Sequence, residues 1–316
     1  MKNITSLAVL VIIILTLSLS YTAHCQEEES GRNYGFSFGT QFGFIHGNAL
    51  EYVYSQPGQT ASEIFSELTW EVKPVFYYGF HLDFSRIDMM SGPGFFASLS
   101  FKAGVPADTG VMKDRDWMSK ENADLTHFSS HTNKTREFLS VDTAVGASIP
   151  VRTYFYLKPF LSGSWTRFSF AARDGYYKYP DEEGKFYGEV IRYKQDWLLI
   201  AAGFSIGTNI LSPFSFGVSF QISPFTYCAA TDEHLDESKR MTYNDYTAWG
   251  LFIEPKGSFS FSIERIELSL EFAYRYIGRT RGESYRKGND GKYIPNGEAG
   301  AGLSFIDTRL LVKLRI

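Results

Sequence analysis

The sequence predicts an all-β protein: a transmembrane antiparallel β-barrel of about ten strands with long extracellular loops. Three observations lead there. Apolar side chains recur at every second position over most of the chain, which is the period of a strand and not of a helix. The positions between them are rich in Gly and Ser where a water-facing sheet would carry Lys and Glu, as suits an enclosed interior. Phe, Tyr and Trp together make up 17% of the 316 residues, in keeping with strands that cross a membrane interface.

Taken in order, the chain opens on Lys2, an apolar run from Leu7 to Leu19 and small residues up to Cys25. This reads as a secretory signal peptide, residues 1–25, with Ala23 three residues from a cut after Cys25. A lipoprotein signal with Cys25 acylated is the rival, and His24 fits it poorly. The run is too short for a membrane-spanning helix. Removing residues 1–25 leaves Cys228 alone, so no disulfide framework is expected. Glu27-Glu28-Glu29 forms a solvated leader, and residues 26–316 are expected to make a single barrel. The net charge of −4 gives no support for nucleic-acid binding.

The strands follow. Phe36, Phe38, Phe42 and Phe44 share one face, with Ser37, Gly39, Gln41 and Gly43 on the other. Phe76, Tyr78, Phe80, Leu82 and Phe84 repeat the pattern, as do Phe95, Ala97, Leu99 and Phe101. Later sets are Leu139/Val141/Val145, Leu198/Ile200/Phe204/Ile206, Phe214/Phe216/Val218/Phe220/Ile222 and Ile266/Leu268/Leu270/Phe272/Tyr274. The chain ends on Leu310, Val312, Leu314 and Ile316, alternating with Arg309, Lys313 and Arg315. A soluble sandwich would bury these apolar faces, whereas a membrane barrel turns them towards lipid. The Gly/Ser-rich opposite faces, the strand lengths and the apolar C-terminal register favour the barrel. Short connections (148–152, 211–213) alternate with long polar ones (105–137, 174–187, 228–241, 280–300), the pattern of an outer-membrane barrel.

Two short motifs carry chemistry. Asp114 and Asp116, and likewise Asp232 and His234, are two positions apart, so on extended chain each pair shares a face. Adjacent carboxylates disfavour joint ionisation, so one of Asp114/Asp116 is expected to hold its proton to higher pH. Asp232 can orient His234, which can then take a proton from water. Such a site would make the chain a hydrolase.

These motifs and others in the same order resemble the omptin family of outer-membrane proteases. Asp114-Arg115-Asp116-Trp117-Met118 resembles its D-x-D-W-M, and Phe168 to Gly175 its Y-S-F-T-A-R-G-G. Tyr193-Lys194-Gln195 matches Y-K-Q, Asp232-Glu233-His234 matches D-E-H, and Arg240-Met241-Thr242-Tyr243 is close to R-I-T-Y. The resemblance implies a ten-stranded barrel that cleaves peptides or proteins at the cell surface, near basic residues, with Asp114, Asp116, Asp232 and His234 as catalytic residues. It implies a substrate-binding set of Glu51, Met112 and Ile191, and sets Ser129 and His131 near a Ser-x-His of the family.

The chain also departs from the family. The family's basic preference rests on a Glu, matched by Glu51, and on an Asp two residues before D-E-H, where this chain has Ala230. With Glu51 alone, a weaker or altered preference is expected. Of the family's lipopolysaccharide-binding cluster Arg167 remains as the lipid-binding candidate. Asp196 and Ala248 stand at two other basic positions, and Trp165 stands where the family has Glu. The expected partners are peptide substrates and outer-membrane lipid, for a monomer with no nucleic acid. No cofactor or metal is expected: His127 and His131 are four apart, but without the H-E-x-x-H of a zinc helix. The alternative reading is an inactive barrel of the same fold, serving as an adhesin or structural protein. A porin is disfavoured because ten strands leave little room for a channel.

Overall fold

The computed structural model describes residues 33–87, 93–152, 155–208, 213–235, 240–288 and 291–316. The expected signal peptide, residues 1–25, and the acidic leader lie outside the described residues. The strands are β1 (Asn33–Tyr54), β2 (Ile64–Ile87), β3 (Gly94–Gly104), β4 (Ala107–Asp116), β5 (His127–Arg152), β6 (Phe155–Lys178) and β7 (Glu183–Thr208). They continue with β8 (Phe214–Ser223), β9 (Thr226–His234), β10 (Met241–Ala248), β11 (Phe252–Ile263), β12 (Ile266–Ile277), β13 (Arg281–Lys287) and β14 (Tyr293–Arg315).

All fourteen belong to one sheet, and they make ten staves. The segments β3 and β4 both lie between β2 and β5, so they are two halves of one stave. By the same test β8 continues into β9, β10 into β11, and β12 into β13. Antiparallel pairing of β1 with β14, from Ser37–Arg315 to Val53–Ala299, closes the ring. Closure removes both free sheet edges and satisfies the backbone internally, as a strand-built membrane span requires.

The alternation read from sequence governs the lower half. Phe36, Phe38, Phe42, Phe76, Phe95, Ile200, Phe216, Val218, Phe272 and Leu310 are exposed on the outer surface, whereas Ser37, Gln41, Ser100, Ser269 and Arg309 are buried within. The polar stretches expected as long loops are in large part strand. At that end the connections between strands are 55–63, 117–126, 179–182, 235–240 and 288–292. There the wall carries exposed ion pairs such as Arg173–Asp108 and Arg136–Glu189, so the apolar period fades while the hydrogen-bond ladder continues.

At the level where staves break, the facing changes. In β8 the even-numbered Phe214, Phe216 and Val218 are exposed, but in β9 the even-numbered Cys228, Ala230 and Asp232 are buried. The slip falls at Ser223–Thr226, where Phe225 N donates to Ser223 Oγ at 2.8 Å and Thr226 Oγ1 donates to Gly250 O at 2.8 Å. The next stave slips at Trp249, which takes a positive φ of 69° and is exposed. A one-residue slip moves every following side chain to the other face.

The lower interior is a polar lumen of about 270 Å³ filled with paired charges. Arg275 holds Glu254 at 2.5 Å and Asp142 at 3.1 Å, while Lys102 holds Asp307 at 2.6 Å and Arg309 holds Glu271 at 2.5 Å. Above it lies an aromatic floor. Trp70 stacks on Phe170 at 5.5 Å and on Tyr193 at 5.4 Å, and Phe168 packs against Phe138 and Phe170. This layer separates the lumen from the cleft above. Arg275 is the cation paired with the buried Glu254, whereas Asp142 keeps a contact to Lys102 at 3.7 Å, so Arg275→Leu leaves Glu254 without a counter-charge. The barrel should lose about 3–5 kcal/mol, read as an earlier midpoint in urea unfolding followed by gel mobility.

Candidate active site

Two opposed walls build the cleft. In the upper ring β4 lies between β2 and β5, and β9 lies between β7 and β10. Going round by β5, β6 and β7, the two are four steps apart, so their inner faces oppose. As the spacing predicts, Asp114 and Asp116 share a strand face, as do Asp232 and His234.

On β9, His234 Nε2 meets Asp232 Oδ2 at 2.7 Å. The Asp232 side chain is 5% exposed and that of His234 is 39% exposed, so the carboxylate is the buried anchor and the imidazole is the end open to the cleft. An ionised carboxylate holds the proton on Nε2 and leaves Nδ1 as an acceptor. Burial alone would lower the His234 pKa, but Asp232, then Asp114 and Asp116, outweigh it and raise it. Tyr243 packs edge-on against the ring at 5.7 Å.

On β4, Ser66 Oγ donates to Asp114 Oδ1 at 3.2 Å. Burial, and then the neighbouring Asp116 carboxylate, push Asp114 up to about 8. Burial likewise raises Asp116, against Ser66, His127 and His234. The pair therefore holds a proton at neutral pH, and His234 and Asp232 act electrostatically on Asp114 across the cleft. An imidazole with a free acceptor nitrogen facing a carboxyl proton across one cleft is an arrangement that can support hydrolysis.

The remaining sequence candidates divide. Glu51, Met112 and Ile191 are all buried in this upper region. Glu51 is driven up first by burial and then by Asp232, Asp245 and Asp114, which sets it in the same field. Ser129 and His131 are joined at 2.9 Å, and His131 Nδ1 meets the Asp174 carbonyl at 2.6 Å. Both are under 5% exposed, so they brace β5 against β6 beneath the surface. Arg167 is outside the cleft, over the Trp165 ring and paired with Asp196 at 2.7 and 3.1 Å. The lipid-binding candidate thus already has a counter-ion. Sequence reasoning missed Ser66, Trp70 and Asp245. Asp245 does stand two positions from Tyr243 on one strand face, but only the β9–β10 register sets it opposite Ala230.

Comparison with known proteins agrees with this architecture. The model of the Omptin family matches residues 32–315. Protease 7 of Escherichia coli O157:H7, and that of Escherichia coli strain K12, are each 29% identical over 148 residues, covering 42% of this chain and 45% of theirs. The aligned region thus spans less than half the length of these curated relatives. The crystal structure of outer membrane protease OmpT from Escherichia coli superposes with a TM-score of 0.81 at 19% identity. It covers 92% of this chain and 99% of that one, a likeness of fold.

A carboxylate raised above its unfolded value gives stability that is full below the unfolded value and drains as pH rises through about 8 for Asp114. Asp114→Asn should therefore raise the midpoint of thermal unfolding by at least about 2 °C at mildly alkaline pH. The gain should vanish below about pH 4, where both forms are neutral in either state. Circular dichroism melts across pH check both halves.

Proposed function

The chain belongs to the omptin family, and we propose that it is an outer-membrane endopeptidase whose cleft faces the cell exterior and cuts peptides or proteins near basic residues. The single observation carrying this is the Asp232–His234 pair, 2.7 Å apart, opposed to the proton-sharing Asp114 and Asp116. In this reading residues 1–25 direct export and are removed, the monomeric barrel sits in lipid through its outer apolar belt, and the cleft stands clear of the membrane.

His234 Nδ1 takes a proton from a water molecule as its oxygen adds to the scissile carbonyl. Asp232 stabilises the imidazolium. The proton shared by Asp114 and Asp116 bonds to the developing oxyanion, so charge is met by a donor already in place. Collapse of the tetrahedral adduct expels the amine, which takes the proton from His234. Glu51 draws a cationic substrate side chain into its pocket, and Met112 and Ile191 supply apolar contact.

His234→Ala should lower kcat/KM on a peptide by at least about a hundredfold with the barrel still folded by its heat-modifiable gel mobility. Unchanged hydrolysis would remove the base. Chelators should leave the rate unaltered.

The pH profile should be bell-shaped. It should rise as His234, held above its ordinary value, loses its proton, and fall as Asp114 loses its own near about 8. A rate that stays level well above that point would exclude the carboxyl donor.

A further inference from the structure

Ala230, where the family carries an acid, faces Asp245 directly across the β9–β10 ladder. Asp245 is 4% exposed, and its Oδ1 has no hydrogen-bond partner. Glu51, on β1, is 3% exposed and has an unpartnered Oε2. Each acts electrostatically on shared neighbours: both bear on Tyr193 and on Cys228, and Asp245 bears on Glu51 itself. Among the described residues, no lysine or arginine forms an ion pair with either carboxylate. Elsewhere in this barrel buried acids have such partners, as with Glu254, Glu271 and Asp307.

Two buried carboxylate oxygens without donors are costly unless a ligand completes them. Directly facing residues on paired strands have Cβ atoms about 4.5–5.5 Å apart. A carboxylate moved from position 230 to position 245 therefore still reaches the same space, since the methyl of Ala230 occupies little of it. Trp70 stacked on Tyr193 at 5.4 Å gives the space an aromatic wall for an aliphatic stem.

We propose that Asp245 is a specificity-determining residue of this chain. With Glu51 it forms a two-carboxylate pocket that takes the lysine or arginine side chain of a peptide, and the charge missing at Ala230 is supplied from the neighbouring strand. The assignment rests on the proteolytic reading for its substrate but not for its test. Asp114 and Asp232 also act on Glu51, so a side chain held between Glu51 and Asp245 brings its peptide bond towards the catalytic groups. The chain then retains a two-carboxylate pocket, where the sequence alone counts one charge.

The test measures binding without cleavage. p-Aminobenzamidine, a fluorescent aryl amidinium, is titrated into the refolded barrel in detergent. The unaltered protein should bind it, and Asp245→Asn should weaken binding at least about tenfold, which is roughly 1.4 kcal/mol. The double variant Ala230→Asp/Asp245→Asn should recover most of the loss, because the carboxylate returns by the facing position. Asp245→Ser is the second substitution should the Asn variant not fold, judged by gel mobility.

Affinity should also rise with pH as Asp245, pushed up to about 7 by burial and by Asp232 against Ser284, becomes charged. Glu51 and Asp232 face the same space and contribute to that curve. Absent binding by the unaltered protein, an unchanged affinity in Asp245→Asn, or no recovery in the double variant overturns the assignment. A separate arm compares kcat/KM for peptides with Lys or Ala before the scissile bond. If no peptide is cut while the binding pattern holds, the proteolytic reading fails and the pocket stands. If peptides are cut with a Lys/Ala ratio indifferent to Asp245→Asn, the pocket fails and the protease stands.

Discussion

Closure of the hydrogen-bond ladder between β1 and β14 is the constraint on which the rest of this molecule depends. Within a lipid layer no backbone N–H or C=O can turn to water, so strands must pair on both sides, and only a ring allows that. Once the ring closes, each stave presents alternate residues to lipid and to a confined interior. Apolar side chains are then cheap outside, and the interior must be filled without leaving charges unpaired. The Arg275–Asp142–Glu254 and Lys102–Asp307 contacts answer that second demand, since a buried charge is tolerated when it is paired and hydrogen-bonded.

The same wall carries the candidate site. The ladder runs on past the apolar belt, so the side chains of the cleft stand on strands braced by two neighbours. Asp114 and Asp116 cannot move apart, because consecutive inward positions of one strand are fixed by the backbone. Their mutual repulsion is therefore built in, and the fold below bears it. The aromatic floor of Trp70, Phe168, Phe170 and Tyr193 separates these acids from the charged lumen, so that its cations do not neutralise the cleft.

Much of this was legible in the sequence, and what was hidden has definite causes. The outer faces of β1, β8, β12 and β14 could be read because lipid imposes one simple demand on every second residue. Asp114/Asp116 and Asp232/His234 could be paired because two-residue spacing on a strand is unambiguous. The upper halves of the staves resembled loops, since strands with polar residues on both faces show no apolar period. Asp245 was out of reach because its partner depends on the register of a hairpin whose connection, 235–240, gives no short-turn signal. Arg167 looked like a free lipid-facing cation until Asp196, on the neighbouring strand, proved to be bonded to it. Cross-strand partners are set by register, and register is what local patterning encodes least.

The slip at Ser223–Thr226 has a bearing on how such a chain can vary in length. Carried on unbroken from β8, the even positions would aim Asp232 and His234 out of the barrel, so their place in the cleft depends on parity. Rim connections can gain or lose any number of residues, because a loop restarts the count. Between Phe214 and His234 only paired insertions or deletions preserve which residues look inward. A single-residue change there would turn the dyad to the outside while leaving the ring and its lipid contacts nearly intact. The arrangement thus makes stretches of ordinary strand, far from any reactive atom, intolerant of odd-numbered indels, and leaves the exposed tips free to diversify.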